Sequence, residues 1–248
     1  MKKHIPNTIT CCNLIAGCIA TYFAFSGDAT WALVWIIIGA VFDFFDGMTA
    51  RLLGVSSPIG KELDSLADDI TFGFAPSAII FATLQAVNYP TCIDTPVVRT
   101  MLPYSAFIMA AFSAIRLAKF NLDTRQTTSF IGLPTPANAL FWGSLIIVAK
   151  TYIDTCAWVT PVIIVGMLIS CWLLVCELPM FALKFKHWGW RGNEVKYSFV
   201  VASLVAILLL GPLKAFAPII ACYVILSVLI ALFEPRKPQT DVQDDGHS

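Results

Sequence analysis

The chain has 248 residues, of which 58% are hydrophobic and 13% are charged. Soluble domains average about 45–50% apolar and about 25% charged residues, so this composition excludes an ordinary soluble enzyme and a disordered chain. The 16 Lys and Arg residues balance 16 Asp and Glu residues, and no basic segment typical of nucleic-acid binding stands out. The composition indicates a polytopic membrane protein, in which each charged residue needs a reason for its position.

Apolar segments follow one another along the chain, and each is about long enough to cross the hydrocarbon core as a helix. The alternation typical of membrane strands is absent, which disfavours a β-barrel. We therefore predict an all-α fold, a polytopic membrane bundle of about eight transmembrane helices. The predicted spans are 8–26, 30–51, 66–88, 100–120, 135–150, 157–181, 196–212 and 215–233. Residues 1–235 would form a single integral-membrane catalytic domain, and we expect the polar tail, 236–248, to be disordered.

The Lys and Arg residues predict an orientation in the membrane. With a cytoplasmic N-terminus, only Arg99, Lys150 and Lys214 of the 16 basic residues lie outside, which leaves 13 on the cytoplasmic side. The inverted orientation would place those 13 outside, against the positive-inside rule. An even number of spans then puts both termini in the cytoplasm, and we expect a multi-pass protein of the cell (inner) membrane.

Four aspartates stand where the second predicted span ends and the third begins. Asp43 and Asp46 are three residues apart, and Asp64 and Asp68 are four apart, so each pair lies on one face of a helix. A hairpin connection of about a dozen residues would bring the two faces together near the cytoplasmic surface. Asp69 lies off the shared face, and we expect it to be solvated.

Carboxylates in a membrane helix need compensation. An aspartate costs about 2.5–3.5 kcal/mol at the bilayer centre, and clustered carboxylates also repel one another. A divalent cation removes both penalties, and an all-oxygen site favours Mg²⁺ or Mn²⁺, with Ca²⁺ a further candidate, over zinc. Four carboxylates suit two metal ions that hold the attacking and leaving oxygens of a phosphoryl group. The alternative for any single aspartate is a surface charge beside a span.

Small residues and one cation flank the acidic pairs. Gly47 and Ala50 leave one face of the second helix bare, so that a ligand can approach its backbone. Arg51 follows them and is able to bind a phosphate through two parallel hydrogen bonds. In the first span, Thr10 and Asn13 either line the same cavity or join helices through hydrogen bonds.

The whole pattern is Asp43-x2-Asp46-Gly47-x2-Ala50-Arg51-x8-Gly60-x3-Asp64-x3-Asp68. It resembles the signature of the CDP-alcohol phosphotransferase family without a departure. The resemblance implies a membrane enzyme with a six-helix core, which displaces CMP from a CDP-linked substrate with an alcohol. It implies metal ligands at Asp43, Asp46, Asp64 and Asp68, a general base at Asp68, and CDP-binding positions at Gly47, Ala50, Arg51 and Gly60, with Lys61 beside them.

Three further segments narrow the resemblance to the membrane-embedded bacterial members that use serine as the acceptor: 5–14, 115–121 and 130–139. These members usually show Arg-Leu-Ala-Arg-Phe-Asn in the second segment. Here Lys119 replaces the second arginine, which keeps the charge but loses the guanidinium fork. The resemblance implies CDP-diacylglycerol and L-serine as substrates, a membrane-lipid environment and a homodimer.

Three residues of these segments are candidates for substrate binding: Arg116, Asn121 and Asn138. Arg116 also fits ordinary positive-inside topology, and the two asparagines also fit helix capping or loop hydrogen bonds. Pro134 and Pro136 suit the first turn of a helix, whose free N–H groups favour an anion such as a carboxylate or a phosphate.

Several alternatives stay open at the level of sequence. Within the same family, glycerol 3-phosphate and inositol are alternative acceptors, and an archaeal ether lipid is an alternative donor. A cation-coupled or proton-coupled transporter would use the acidic cluster as a transport site, but it needs broken helices or acids at mid-membrane in several spans. A structural scaffold would leave the clustered carboxylates unexplained.

Overall fold

The computed structural model describes residues 4–55, 57–122, 130–153, 155–180 and 193–233. The predicted polar tail lies outside the described residues, as do several basic residues that contribute to the predicted orientation, among them Arg125, Lys184 and Lys186.

Helices make up nearly all of the described chain. The bounds in chain order are α1 His4–Phe25, α2 Ala29–Leu53, α3 Pro58–Asp68, a π-helical segment Asp69–Phe74, α4 Ala75–Ala86, α5 Pro96–Met101, a 3₁₀ segment Leu102–Ala106, α6 Phe107–Leu122, α7 Thr135–Ile153, α8 Val159–Val175, α9 Glu194–Leu210 and α10 Pro212–Phe233. Two short strands, β1 Phe130–Ile131 before α7 and β2 Pro179–Met180 after α8, pair in antiparallel fashion.

Adjoining helical segments merge into longer rods. One rod runs from Pro58 to Ala86 through the π-helical segment, and another runs from Pro96 to Leu122. Counted this way, the described residues contain eight rods, one for each predicted span. Five of them are long and apolar enough to cross a membrane, which confirms an all-α polytopic membrane fold. Eight crossings remain a prediction.

The connection between α2 and α3 is shorter than we expected. It spans only 54–57 instead of about a dozen residues, because helix signals stand on both sides. Gly54 adopts a left-handed conformation (φ 60°) and its N–H reaches the carbonyls of Ala50 and Arg51. Ser57 accepts a hydrogen bond from the N–H of Gly60 at 3.0 Å, and Pro58 begins the helix.

Close helix crossings hold the N-terminal half together. α1 packs against α2, and the π-helical segment lies against both of them. Gly17 of α1 and Gly39 of α2 leave room for Thr71, whose atoms would lie 2.3 Å and 2.5 Å from a Cβ at those two positions. A side chain at either glycine would push the helices apart.

The C-terminal half packs around α7. Trp142 is fully buried there, and its Nε1 donates a hydrogen bond to Ser170 Oγ of α8 at 3.0 Å. Ser144 Oγ accepts from the N–H of Ala217, which ties α7 to α10. Because α7 also packs against α2 and α4, it joins this half of the bundle to the half that carries the acidic pairs.

Candidate active site

Three of the predicted metal ligands meet in one place. Asp43 of α2 and Asp64 and Asp68 of α3 each offer a carboxylate oxygen, and these oxygens lie within 4.8 Å of one another. All three side chains are partly buried. Carboxylates this close repel strongly in a partly dry environment, so a cation is the natural counter-charge.

The donor set fits a hard divalent cation. The three described residues of the group are all aspartates, so every ligand atom it offers is a carboxylate oxygen. Asp64 Oδ1 is buried and has no hydrogen-bond partner within the described part of the chain. An unpaired buried carboxylate oxygen is costly, and a metal ion would satisfy it.

The fourth predicted ligand, Asp46, lies beside the group. It is 6% exposed, and its Oδ2 accepts a hydrogen bond from Thr10 Oγ1 at 2.7 Å. Asp68 is held in a similar way, because Asn13 Nδ2 donates to its Oδ1 at 3.0 Å. These two bonds settle the alternatives for the first span: both side chains join helices, and Thr10 also lines the adjoining cavity.

That cavity lies between α1, α2 and α3 and has a volume of about 270 Å³. Because Asp46 and Asp64 form part of its wall, it opens directly beside the acidic group. Its lining residues are Pro6, Asn7, Thr10, Asp46, Gly47, Ala50, Val55, Ser57, Gly60, Lys61 and Asp64.

Small residues create this space, as the sequence predicts. A Cβ at Gly47 would meet nothing within 4 Å, so the glycine faces the open cavity. A Cβ at Gly60 would lie 3.0 Å from both Asn7 Oδ1 and Ser57 Oγ, so this glycine permits the tight start of α3. Arg51 is exposed and is not part of the lining.

Arg116 of α6 is a buried cation, 7% exposed. Its Nε has no hydrogen-bond partner, and it forms no ion pair within the described residues. Its guanidinium carbon lies 5.9 Å from the ring centroid of Phe120. A buried guanidinium that lacks an ion-pair partner favours an anionic ligand.

Asn138, in the first turn of α7, is fully buried, and neither Nδ2 nor Oδ1 has a partner among the described residues. Nearly all buried polar groups in native proteins are paired, and each unpaired one costs about 1–3 kcal/mol. The amide is therefore a natural contact for a polar ligand.

Lys61 and Asn121 contact each other's helices. Lys61 Nζ donates to the carbonyl oxygen of Asn121 at 2.7 Å, and Asn121 Nδ2 donates to Ser65 Oγ, also at 2.7 Å. The two bonds connect α3 to the C-terminal end of α6. Lys61 still lines the cavity, so its predicted role toward the nucleotide remains a prediction, as does the role of Asn121.

Asp69 differs from our expectation. It is only partly exposed, and its Oδ1 is buried without a partner in the described chain. The cause is the π-helical segment, which begins at this residue and alters the helical phase. Asp69 Oδ1 therefore lies 2.7 Å from the position of a Cβ on Gly73, instead of facing water.

This fold and this site define a membrane-embedded transferase of phospholipid synthesis. A model of the CDP-alcohol phosphatidyltransferase family matches residues 3–178, and the chain belongs to that family. The family requires a divalent metal, and the aspartate group is where the chain offers ligands for one.

Curated relatives carry a more specific name, CDP-diacylglycerol–serine O-phosphatidyltransferase. The protein of that name from Bacillus subtilis (strain 168) is 34% identical over 154 residues, 60% of this chain and 77% of the relative. The one from Helicobacter pylori (strain J99) is 27% identical over 230 residues, 92% of this chain and 91% of the relative. The one from Mycobacterium leprae (strain TN) is 26% identical over 253 residues, 92% of this chain and 71% of the relative.

Proposed function

We propose that this protein transfers the phosphatidyl group of CDP-diacylglycerol to the hydroxyl of L-serine, forming phosphatidylserine and CMP. The observation that carries the proposal is the meeting of Asp43, Asp64 and Asp68 beside a cavity walled by small residues. The relatives that bear the name of this reaction support the choice of donor and acceptor.

The proposed metal ligands are Asp43, Asp46, Asp64 and Asp68. Four carboxylates suit two divalent ions, which we propose to be Mg²⁺ or Mn²⁺, with Ca²⁺ as a further candidate. When bound, the metal offsets the negative charge of the diphosphate and of the departing CMP. The four carboxylates would hold the ions, because they offer oxygen ligands from two neighbouring helices, α2 and α3.

The donor's nucleotide occupies the cavity between α1, α2 and α3. Gly47 and Ala50 provide bare surface for it, and Gly60 allows the backbone of α3 to approach. Arg51, at the end of α2, and Lys61, at the cavity wall, are the cations nearest in sequence to these positions, and they bind the phosphates.

The acceptor binds on the other side of the aspartates. Arg116 pairs with the carboxylate of serine, which would supply the ion-pair partner that the buried guanidinium lacks among the described residues. Asn138 and Asn121 bind the remaining polar groups, together with the free N–H groups of the first turn of α7. The unpaired amide of Asn138 supports this assignment.

The chemical step is a direct displacement. Asp68 takes the proton from the serine hydroxyl, and the serine oxygen attacks the phosphorus attached to the lipid. The bond between that phosphorus and the CMP oxygen breaks, and CMP leaves with the electron pair. Every residue named suits one step, so no covalent enzyme intermediate is required.

The remaining proposals concern placement and assembly. We place the protein in the cell (inner) membrane, with both termini and the site on the cytoplasmic face, because the basic residues are concentrated on that side. CDP-diacylglycerol then reaches the site from the inner leaflet. A homodimer follows from the family resemblance.

Release of CMP by the purified protein tests the reaction. The protein in mixed micelles, with CDP-diacylglycerol and Mn²⁺ or Mg²⁺, is offered serine, glycerol 3-phosphate, inositol or ethanolamine separately. We expect release with serine alone, its loss with a chelator, and recovery when the divalent ion is restored. Release with another acceptor but not serine would refute the proposed acceptor, and no release with any acceptor would refute the reaction.

A control variant distinguishes the loss of a site carboxylate from the loss of any other acidic side chain on α3. Glu62 is an exposed acid on the same helix as Asp64 and Asp68, and Glu62→Gln should release CMP at the wild-type rate. The rival transporter function predicts Mn²⁺ uptake into proteoliposomes without any CDP-lipid, a result that the proposed reaction does not produce.

A further inference from the structure

We infer that Thr10 and Asn13 are positioning residues for the acidic site. Helix α1 carries none of the predicted metal ligands, yet it orients one carboxylate on each of the two helices that do. The inference deepens the proposed function, because it says how the site acquires a fixed geometry in a membrane bundle.

The two side chains share one face of α1. They are three residues apart, Thr10 is 3% exposed and Asn13 is fully buried. Thr10 reaches Asp46 of α2, and Asn13 reaches Asp68 of α3. A single helical turn of α1 therefore sets two carboxylates that come from different helices.

The hydroxyl of Thr10 has a choice of acceptors. It lies 2.7 Å from Asp46 Oδ2 and 3.1 Å from the carbonyl oxygen of Pro6. A hydroxyl has one proton to donate, and a hydrogen bond to a carboxylate is shorter and stronger than one to a neutral carbonyl. The bond to Asp46 is therefore the one that this proton makes.

Asn13 does not behave as a residue that merely joins helices. Its Nδ2 donates to Asp68, but its Oδ1 is buried and has no partner within the described residues. An amide kept only for helix packing would use both ends, because an unpaired buried acceptor costs about 1–3 kcal/mol. The orientation is the one that presents a donor to the carboxylate.

The backbone of Asn13 is fixed as well. Thr71 Oγ1 donates to the carbonyl oxygen of Asn13 at 3.0 Å, and Thr71 lies three residues after Asp68 on the same rod. A Cβ at Gly39 would lie 2.9 Å from Asn13 Oδ1, so α2 closes the remaining side. Asn13 is thus held from two helices while it holds Asp68.

The consequence for the chemistry concerns the second oxygen of each carboxylate. With Asp46 Oδ2 and Asp68 Oδ1 bonded to α1, the other oxygens, Asp46 Oδ1 and Asp68 Oδ2, have restricted positions. Groups that orient metal ligands in this way usually change metal affinity or activity by about 10–100-fold when they are removed. We expect effects of that size here.

The test for Thr10 is a set of three variants, with Mn²⁺ binding followed by electron paramagnetic resonance without any substrate. Thr10→Val should weaken Mn²⁺ binding by about 10–100-fold, and Thr10→Ser, which keeps the hydroxyl, should restore it. Thr8→Val is the matched control, because Thr8 is exposed and, among the described residues, its Oγ1 bonds only the carbonyl of His4 on its own helix. Equal Mn²⁺ affinity in Thr10→Val and the wild type would overturn the role of Thr10.

The test for Asn13 uses steady-state kinetics and thermal unfolding. Asn13→Leu, which preserves the size of the side chain, should lower kcat by about 10–100-fold and leave KM for CDP-diacylglycerol near the wild-type value. A lower melting temperature with unchanged kcat would mean that Asn13 serves packing only. Mn²⁺ binding stays measurable even if the wild type releases no CMP, so failure of the proposed reaction and failure of this inference are distinguishable.

Discussion

Replacement of Gly17 by alanine should lower the rate of catalysis, because the added Cβ would push two packed helical segments apart. A Cβ at this position would lie 2.3 Å from Thr71 Oγ1 and 2.8 Å from Thr71 Cα, whereas ordinary contacts lie at 3.4–4 Å. The hydroxyl can rotate away only by giving up its bond to the carbonyl of Asn13. The Cα cannot rotate, so α1 and the π-helical segment must separate by about half an ångström or more.

The size of the effect follows from what lies next to the contact. Overpacking of this kind costs about 1–3 kcal/mol of stability. Thr71 lies three residues after Asp68, and Asn13 bonds Asp68 directly, so the separation also displaces that carboxylate. A misplacement of about 1 Å can reduce a rate by about 100-fold. We expect Gly17→Ala to lower CMP release by about that factor.

The measurement compares initial rates of CMP release with melting temperatures in the same detergent. Gly166→Ala serves as the control, since its nearest neighbour would be Trp142 Cη2 at 3.3 Å, far in sequence from the aspartates. A Gly17→Ala protein that melts earlier but turns over at the wild-type rate would refute the proposed link between this crossing and Asp68.

Two further predictions concern the site directly. Asp68→Asn should fold normally, as judged by an unchanged melting temperature, but lose about 10²–10⁴-fold in kcat because the proton acceptor is gone; a wild-type rate would remove Asp68 from the role of base. Gly47→Val places a side chain in the open cavity, where a Cβ meets nothing within 4 Å, and it should raise KM for CDP-diacylglycerol about tenfold with little loss of stability; an unchanged KM would show that the nucleotide binds elsewhere.

The acidic site was predictable from the sequence because its geometry is local. Spacings of three and four residues place side chains on one helical face, and a connection of any short length brings two such faces together. Asp43, Asp64 and Asp68 meet as predicted. The predicted length of the connection was wrong. Ser57 and Pro58 begin α3 several residues before the apolar segment from which the third span was predicted.

The partners of the aspartates were not predictable to the same degree. Thr10 and Asn13 are separated from Asp46 and Asp68 by 36 and 55 residues, and no periodicity within one helix reveals which helix faces another. The π-helical segment is also invisible in the residue pattern, because its extra backbone residue per turn depends on tertiary packing. For that reason the prediction that Asp69 is solvated was wrong.

The residues proposed to bind the acceptor show the same limit. The sequence pointed to Arg116 and Asn138, and both are buried with polar atoms that have no partner within the described chain. It also pointed to Lys61 and Asn121, which bond to each other's helices. A polar residue at the end of a span can face a ligand or a neighbouring helix, and only the packing distinguishes the two.

The four-residue connection after α2 affects how the protein is made. The acidic group, the donors of α1 and the cavity all lie before Ala86, so they belong to the first third of the chain to leave the ribosome. Synthesis proceeds from the N-terminus. The residues of the proposed metal site therefore leave the ribosome before α6 and α7, which carry Arg116 and Asn138, the residues proposed to bind the acceptor.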